Sequence, residues 1–189
     1  MQVFRSGFGR AITVIVAIPL TAAMAGLWLV EGFWSFSISL PAASFVVWLV
    51  AALYWFPKVE VDEGGVRIAN VVRTHYISWN AIELIDTKYA LAITALGKKY
   101  TAWAAPAPGR HSAVFASKDQ GAHLPETTYL AGTVRPGDLI TSDSGAAAAH
   151  IRRLWEQRDQ DGIASVSSSW NTTVVTVLVV LGVLTLIAL

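Results

Sequence analysis

The sequence predicts an α+β membrane protein: an N-terminal transmembrane helical hairpin, a small antiparallel β-barrel capped by a C-terminal helix, and then a third transmembrane helix. Three observations predict it. The chain of 189 residues is 54% hydrophobic and 14% charged, where a typical soluble domain is about 25% charged. The charge is segregated: Arg5, Arg10 and Glu31 precede Pro57, none lies beyond Asp161, and the other 24 charged residues, 12 basic and 12 acidic, fall between. The charged middle alternates apolar and polar residues with a period of two, the mark of half-buried strands.

Residues 1–56 form an N-terminal segment and the hairpin. A basic head with Arg5 and Arg10 precedes an uncharged run at about 11–30. Twenty helical residues span about 30 Å, the thickness of the hydrocarbon core. Pro19 kinks such a helix without forbidding it in lipid. A secretory signal with Ala23-Met24-Ala25 as its cleavage site is the alternative, although apolar character continues past that site. The second run, about 40–56, ends in Trp48, Tyr54, Trp55 and Phe56 with Lys58 next. Aromatic residues followed by a base mark a membrane–water interface.

Residues 57–158 form the β domain. Val59 and Val61 alternate with Glu60 and Asp62, and Gly64-Gly65 is expected to supply the positive φ of a hairpin turn. Val66 and Ile68, the run from Arg73 to Trp79, the run from Ile82 to Ile85, residues 89–96 and residues 100–104 give about six strands, with a tight turn at Gly97-Lys98-Lys99. Short strands at this spacing make a small barrel or sandwich. Residues 105–141 hold four of the seven prolines and read as a flexible insertion, with Val114-Phe115-Ala116 as an extra strand. Ser142 then caps a helix. Ala147, Ile151, Leu154 and Trp155 form its apolar stripe, and Arg152, Arg153 and Arg158 are expected on its other face. Residues 159–171 read as a Gly/Ser-rich linker, and residues 172–189 as the third transmembrane helix, short for a span.

Orientation follows the basic residues beside the spans. Arg5, Arg10 and Lys58 lie on one side and Glu31 on the other, which places the N-terminus and the β domain in the cytoplasm and the C-terminus outside, in a multi-pass protein of the plasma membrane.

The chemistry this chain excludes is broad. There is no cysteine, hence no disulfide, thiol catalysis or Cys-based metal site. His75, His111, His123 and His150 have no metal-ligand spacing. No nucleophile elbow is present, and Gly7-Phe8-Gly9-Arg10 is no phosphate loop, since no strand precedes it and no Lys-Ser/Thr follows. The β domain has no basic excess, so nucleic acid is not a partner. The spans carry no Asp, Glu, Lys, Arg or His, which argues against a transport pathway. No catalytic, cofactor or metal residue is expected, and the protein reads as no enzyme.

One family fits this order of elements. Val61, Gly64, Gly65, Val66, Arg73, Ile77, Trp79, Ile82 and Ile85, with Pro108-Gly109-Arg110, Arg135-Pro136-Gly137-Asp138 and Trp155, resemble the actinobacterial membrane proteins with a bacterial pleckstrin-homology (PH) domain, of the low-molecular-weight protein antigen 6 type. The resemblance covers about residues 57–158. It implies a PH-like antiparallel β-barrel capped by a C-terminal helix and no enzymatic activity.

Many PH domains bind anionic lipid head groups through Lys and Arg at the first hairpin. That hairpin is acidic here, Asp62-Glu63-Gly64-Gly65, and the remaining candidates for a weak anionic contact are Arg67, Arg73, Lys98 and Lys99. The expected function is therefore a non-enzymatic membrane protein presenting a cytoplasmic PH-like interaction domain to a membrane or cytoplasmic protein partner. Lipid head-group sensing is the alternative.

Overall fold

The computed structural model describes residues 1–107, 136–139, 142–158 and 162–188. Most of the insertion expected at 105–141 lies outside them. So do the strand expected at 114–116, His111, His123 and Arg135. Residues 105 and 106, expected to open the insertion, instead finish a strand.

Two long apolar helices, α1 (Gly7–Glu31) and α2 (Phe33–Tyr54), are joined through Gly32 and pack against each other. At 25 and 22 residues with mean hydropathy of 2.1 and 2.0 they are long and apolar enough to cross a membrane. Gly32 has φ of +86°, which a side chain rarely tolerates, so the two helices reverse direction there without a longer loop. Ser6 caps α1: its Oγ accepts from Gly9 N at 3.1 Å.

The strands form two antiparallel sheets. The first takes the order β1-β2-β3-β4-β8, with β1 (Gln2–Phe4), β2 (Lys58–Val61), β3 (Gly65–Ala69), β4 (Arg73–Ser78) and β8 (Val166–Trp170). The second is β5 (Ile82–Asp86), β6 (Ala90–Ala95) and β7 (Lys98–Pro106). All six expected strands of the domain are present. Two were not expected. The basic head contributes β1, in register with β2 (Phe4 opposite Val59), and the expected linker at 159–171 contains β8, in register with β4 (Arg73 opposite Trp170). Pairing with an existing sheet edge satisfies their backbone groups, which no local sequence pattern announces. Among the described residues no ladder joins the two sheets, so the structure gives antiparallel sheets and not the closed barrel expected.

The core lies between the sheets. Val59, Val66, Ile68 and Ile77 from the first meet Leu91, Ile93 and Ile85 from the second. Each such side chain stabilises the fold by about 1.5–3 kcal/mol when fully buried. α3 (Asp143–Glu156) packs on β5, β6 and β7 through Ala147, Ala148 and Ile151. Ser142 is its cap, accepting from Gly145 N at 2.9 Å. One expectation about this helix fails: Arg152, placed on the outer face by periodicity, is buried. α4 (Thr172–Ala188) follows β8, packs on α2, and covers the run expected at 172–189 as far as the described residues go.

The glycine pair at 64–65 also behaves differently. Among the described residues, Gly32 and Gly97 are the glycines with positive φ. Gly64 and Gly65 are needed for space instead, since a Cβ on Gly65 would lie 2.1 Å from the Ile77 carbonyl oxygen. The turn expected at 97–99 is the two-residue connection Leu96-Gly97, with φ of +48° and +69°. Both values suit a type I′ hairpin, whose twist matches the flanking strands.

Candidate functional site

The four candidate cations do not converge. Residues opposite one another in a ladder share a face. Arg67 is opposite Glu60 and Tyr76 on the outer face of the first sheet. Its Nε lies 3.7 Å from Glu60 Oε2, which Lys58 also approaches, at 2.7 Å to Oε1. Arg73 shares the other face with His75 and stacks over Trp170 at 4.2 Å. Lys99 Nζ sits 3.0 Å from Asp86 Oδ2 in the second sheet. Burial pushes the Asp86 carboxyl up, but Lys99 and the amides of Lys88 and Thr87 hold it below the usual carboxylate range. Lys98 is an exposed residue beside the Leu96-Gly97 turn. Each is accounted for locally, and no shared anion site results.

The acidic hairpin is likewise occupied by its own fold. Asp62 Oδ1 accepts from Gly64 N and Gly65 N, both at 2.9 Å, and from Tyr76 Oη at 3.0 Å. Burial and that bond to Asp62 raise the Tyr76 phenol above its ordinary value. Trp79 Nε1 donates to the carbonyls of Asp62 and Glu63, and Arg158 covers the Trp79 ring and donates to Glu63 O. A head-group phosphate would meet a carboxylate and saturated donors here.

Two other features are available to a ligand. The first is the edge of β8. Ser165 and Asn171 form backbone bonds toward β4, with Ser78 and Val72 respectively. Backbone direction alternates along an antiparallel strand, so the amides and carbonyls of Val166, Ser168 and Trp170 face away from β4. β8 is an edge strand, and Ser167 to Trp170 are exposed. Edges are commonly blunted by charge, proline or a bulge. The sequence VSSSW has neither charge nor proline, and its register with β4 is unbroken. His75 Nδ1 lies 2.7 Å from Ser168 Oγ, and the imidazole lies tilted against the Tyr100 ring at 4.9 Å. Burial, helped by Arg73, holds the His75 pKa below 6.5.

The second is a cavity of about 800 Å³ between the domain-side ends of α1 and α2 and the last part of β7. Gly9 sets its floor: a Cβ there would lie 2.8 Å from Tyr54 O, so the missing side chain lets the two helices meet. Phe8, Leu53 and Tyr54 line the helix side, and Ala90, Trp103 and Pro106 the sheet side. Ser142 and Asp143 close it from the start of α3. Its position is fixed by Asn70, whose side chain donates to Thr101 O and accepts from Trp103 N.

A buried ion pair ties α3 to the second sheet. Arg152 Nη1 is 3.0 Å from Asp138 Oδ1, Nη2 donates to Ile85 O at 3.0 Å, and Thr87 Oγ1 donates to Asp138 Oδ1 at 2.6 Å. This explains the Pro136-Gly137-Asp138 stretch that marks the sequence. A Cβ on Gly137 would lie 1.9 Å from Thr87 O, so the turn brings Asp138 in by close approach. The arrangement is structural. Among the described residues no group of His, Asp and Glu could hold a metal. His150 lies against Phe4 and Arg153, and burial lowers its pKa.

The sequence reading missed β8 and the cavity. β8 offered no alternation to find, since its sequence VSSSW has three serines in a row. For the cavity the signal was Ser6-x-x-Gly9, a cap followed by a close-packing glycine. The family model described as "Bacterial PH domain" matches residues 56–154. Searches of the curated proteins and of the solved structures return no match.

Proposed function

The chain belongs to the bacterial PH-domain family, and on that footing we propose that it is a non-enzymatic, membrane-anchored interaction module that binds a protein partner by strand addition at β8. The open edge of β8 carries this reading. Main-chain groups at a sheet edge give affinity to an added strand, and alternate side chains give selectivity. Three outward positions, Val166, Ser168 and Trp170, offer up to six backbone bonds to such a strand.

The remaining parts of the reading share this footing. The two sheets and α3 act as a PH-type barrel closed by packing rather than by a continuous ladder. α4 serves as a third, short membrane helix beside α2. The domain and N-terminus face the cytoplasm, at the plasma membrane, as Arg5, Arg10 and Lys58 favour. The likeness to the actinobacterial antigen 6 type rests on the residues quoted for it in the sequence.

The test uses the full chain in its native membrane. A photo-crosslinker at Ser167 should capture a discrete partner. Ser168→Pro removes an outward N–H without taking a bond from the ladder, and should abolish capture while the unfolding temperature stays close to that of the parent. Capture that survives Ser168→Pro would sink the strand-addition reading.

A further inference from the structure

The cavity at the helix bases is chemically distinct from the β8 edge and is independent of the reading given to it. Its volume, about 800 Å³, falls within the roughly 300–1,000 Å³ of small-molecule sites. The helix side belongs to the ends of α1 and α2. If those helices cross the bilayer, the cavity opens at the level of the lipid head groups. The aromatic residues agree with that depth. Phe8 is 72% exposed and Trp103 57% exposed, and such residues otherwise sit at membrane interfaces. Arg10 over Trp55 at 4.9 Å and Arg73 over Trp170 at 4.2 Å sit at the same end of the helices.

The polar groups of the lining narrow the ligand. Among the described residues it contains no Lys or Arg, and its formal charge is the Asp143 carboxylate. Tyr54 and Thr101 add hydroxyl groups. A phosphate monoester or diester would be repelled by Asp143 and would find no cation. A hydroxyl can donate to that carboxylate, and the apolar wall of Leu53, Ala102, Trp103 and Pro106 suits a hydrocarbon chain.

We propose that this cavity binds one acyl chain of a neutral, hydroxyl-bearing lipid of the diacylglycerol class, taken from the leaflet beside the β domain. The head lies toward Asp143 and the chain between Tyr54 and Trp103.

The experiment uses the full chain in lipid nanodiscs containing a small fraction of diacylglycerol with a diazirine on one acyl chain. A second arm carries the same chain on phosphatidylglycerol. Labelled peptides are mapped by mass spectrometry. The diacylglycerol probe should label the peptide holding residues 101–107 in a saturable way, competed by unlabelled diacylglycerol. Two variants fill the cavity from adjoining strands of its sheet side, Ala107→Trp and Ala90→Leu. Each should lower that labelling about tenfold, since excluding about two methylenes suffices. Labelling at Ile15, on the exposed flank of α1, should not change and reports ordinary lipid contact. The site is refuted if labelling at 101–107 does not saturate, or stays at the parent level in both filling variants. Stronger labelling by phosphatidylglycerol refutes the neutral head. A photo-crosslinker at Trp103 that reacts with polypeptide rather than lipid refutes the acyl-chain occupant.

Discussion

Phe4 and Val59 lie opposite each other in an antiparallel ladder, although the chain between them runs through both long apolar helices. The pairing brings the start of α1 and the end of α2 to the same sheet. It follows that residues 2–4 and the β domain share one side of any membrane the helices cross.

That relationship is open to a thiol test because the chain has no cysteine. Val3 faces Glu60 across the same ladder. Opposed residues in antiparallel strands lie about 4.5–5.5 Å apart at Cα, within disulfide range. Val3→Cys/Glu60→Cys should oxidise to a disulfide with loss of both free thiols by mass spectrometry. In reduced single variants, Val3→Cys and Arg67→Cys, both at exposed positions, should react with an impermeant maleimide from one side, and Glu31→Cys from the other.

The Arg152–Asp138 pair should weigh heavily on stability. Asp138→Ala removes the carboxylate 3.0 Å from the buried Arg152 Nη1, and breaking a buried pair from one side costs about 3–5 kcal/mol. Replacing both partners, as Asp138→Leu/Arg152→Met, should recover most of that loss, since apolar groups of similar volume often substitute well for a buried pair. Denaturant unfolding in detergent measures both. A double variant as unstable as the single would mean that the contact of Arg152 with Ile85 O matters more than the ion pair.

Leu96 is the opposite case, a residue the fold tolerates at a cost. Its φ of +48° is a left-handed conformation at an exposed turn, disfavoured for a residue with a Cβ. Asn-Gly is a preferred pair for a type I′ turn. Leu96→Asn should therefore raise stability by about 0.5–2 kcal/mol, read as a higher unfolding temperature.

Acid should loosen the first sheet. His75 is held below its ordinary pKa of 6.5 by burial, with Arg73 adding to the effect. The unfolded chain takes up the proton first as pH falls, so stability present above about pH 6.5 is lost on going below it. The unfolding temperature should drop between about pH 7.5 and about pH 5.5, and His75→Gln should shrink the drop. His150 is shifted in the same direction, so the double replacement should flatten the profile further.

The strands whose pattern is local were legible in the sequence. Val59/Val61, Val66/Ile68 and the run ending at Trp79 alternate clearly, and the structure places them as strands or, at Trp79, the turn after one. β1 and β8 were not legible because three and five residues pair with partners far away in sequence. Arg152 misled because helical periodicity assigns faces by type, and a cation counts as outward unless its carboxylate is known. That carboxylate, Asp138, arrives from a separate turn. Gly64 and Gly65 were recognised as special for the wrong reason: their role is close approach to Tyr76 and Ile77 rather than a positive φ. The site was the least legible part, since an edge and a cavity are made by what surrounds them.

The composition of the first sheet also sets an order of assembly. β3 and β4 are neighbours in the chain and can pair as soon as both are synthesised. β1 must wait for β2, across some fifty intervening residues that include α1 and α2. β8 is translated after everything else in the domain. Until it emerges, the edge of β4 is itself bare. A ribosome-bound chain halted before residue 166 should thus display His75, Thr74 and Tyr76 on an open edge, a transient strand acceptor that the mature protein moves outward by one strand.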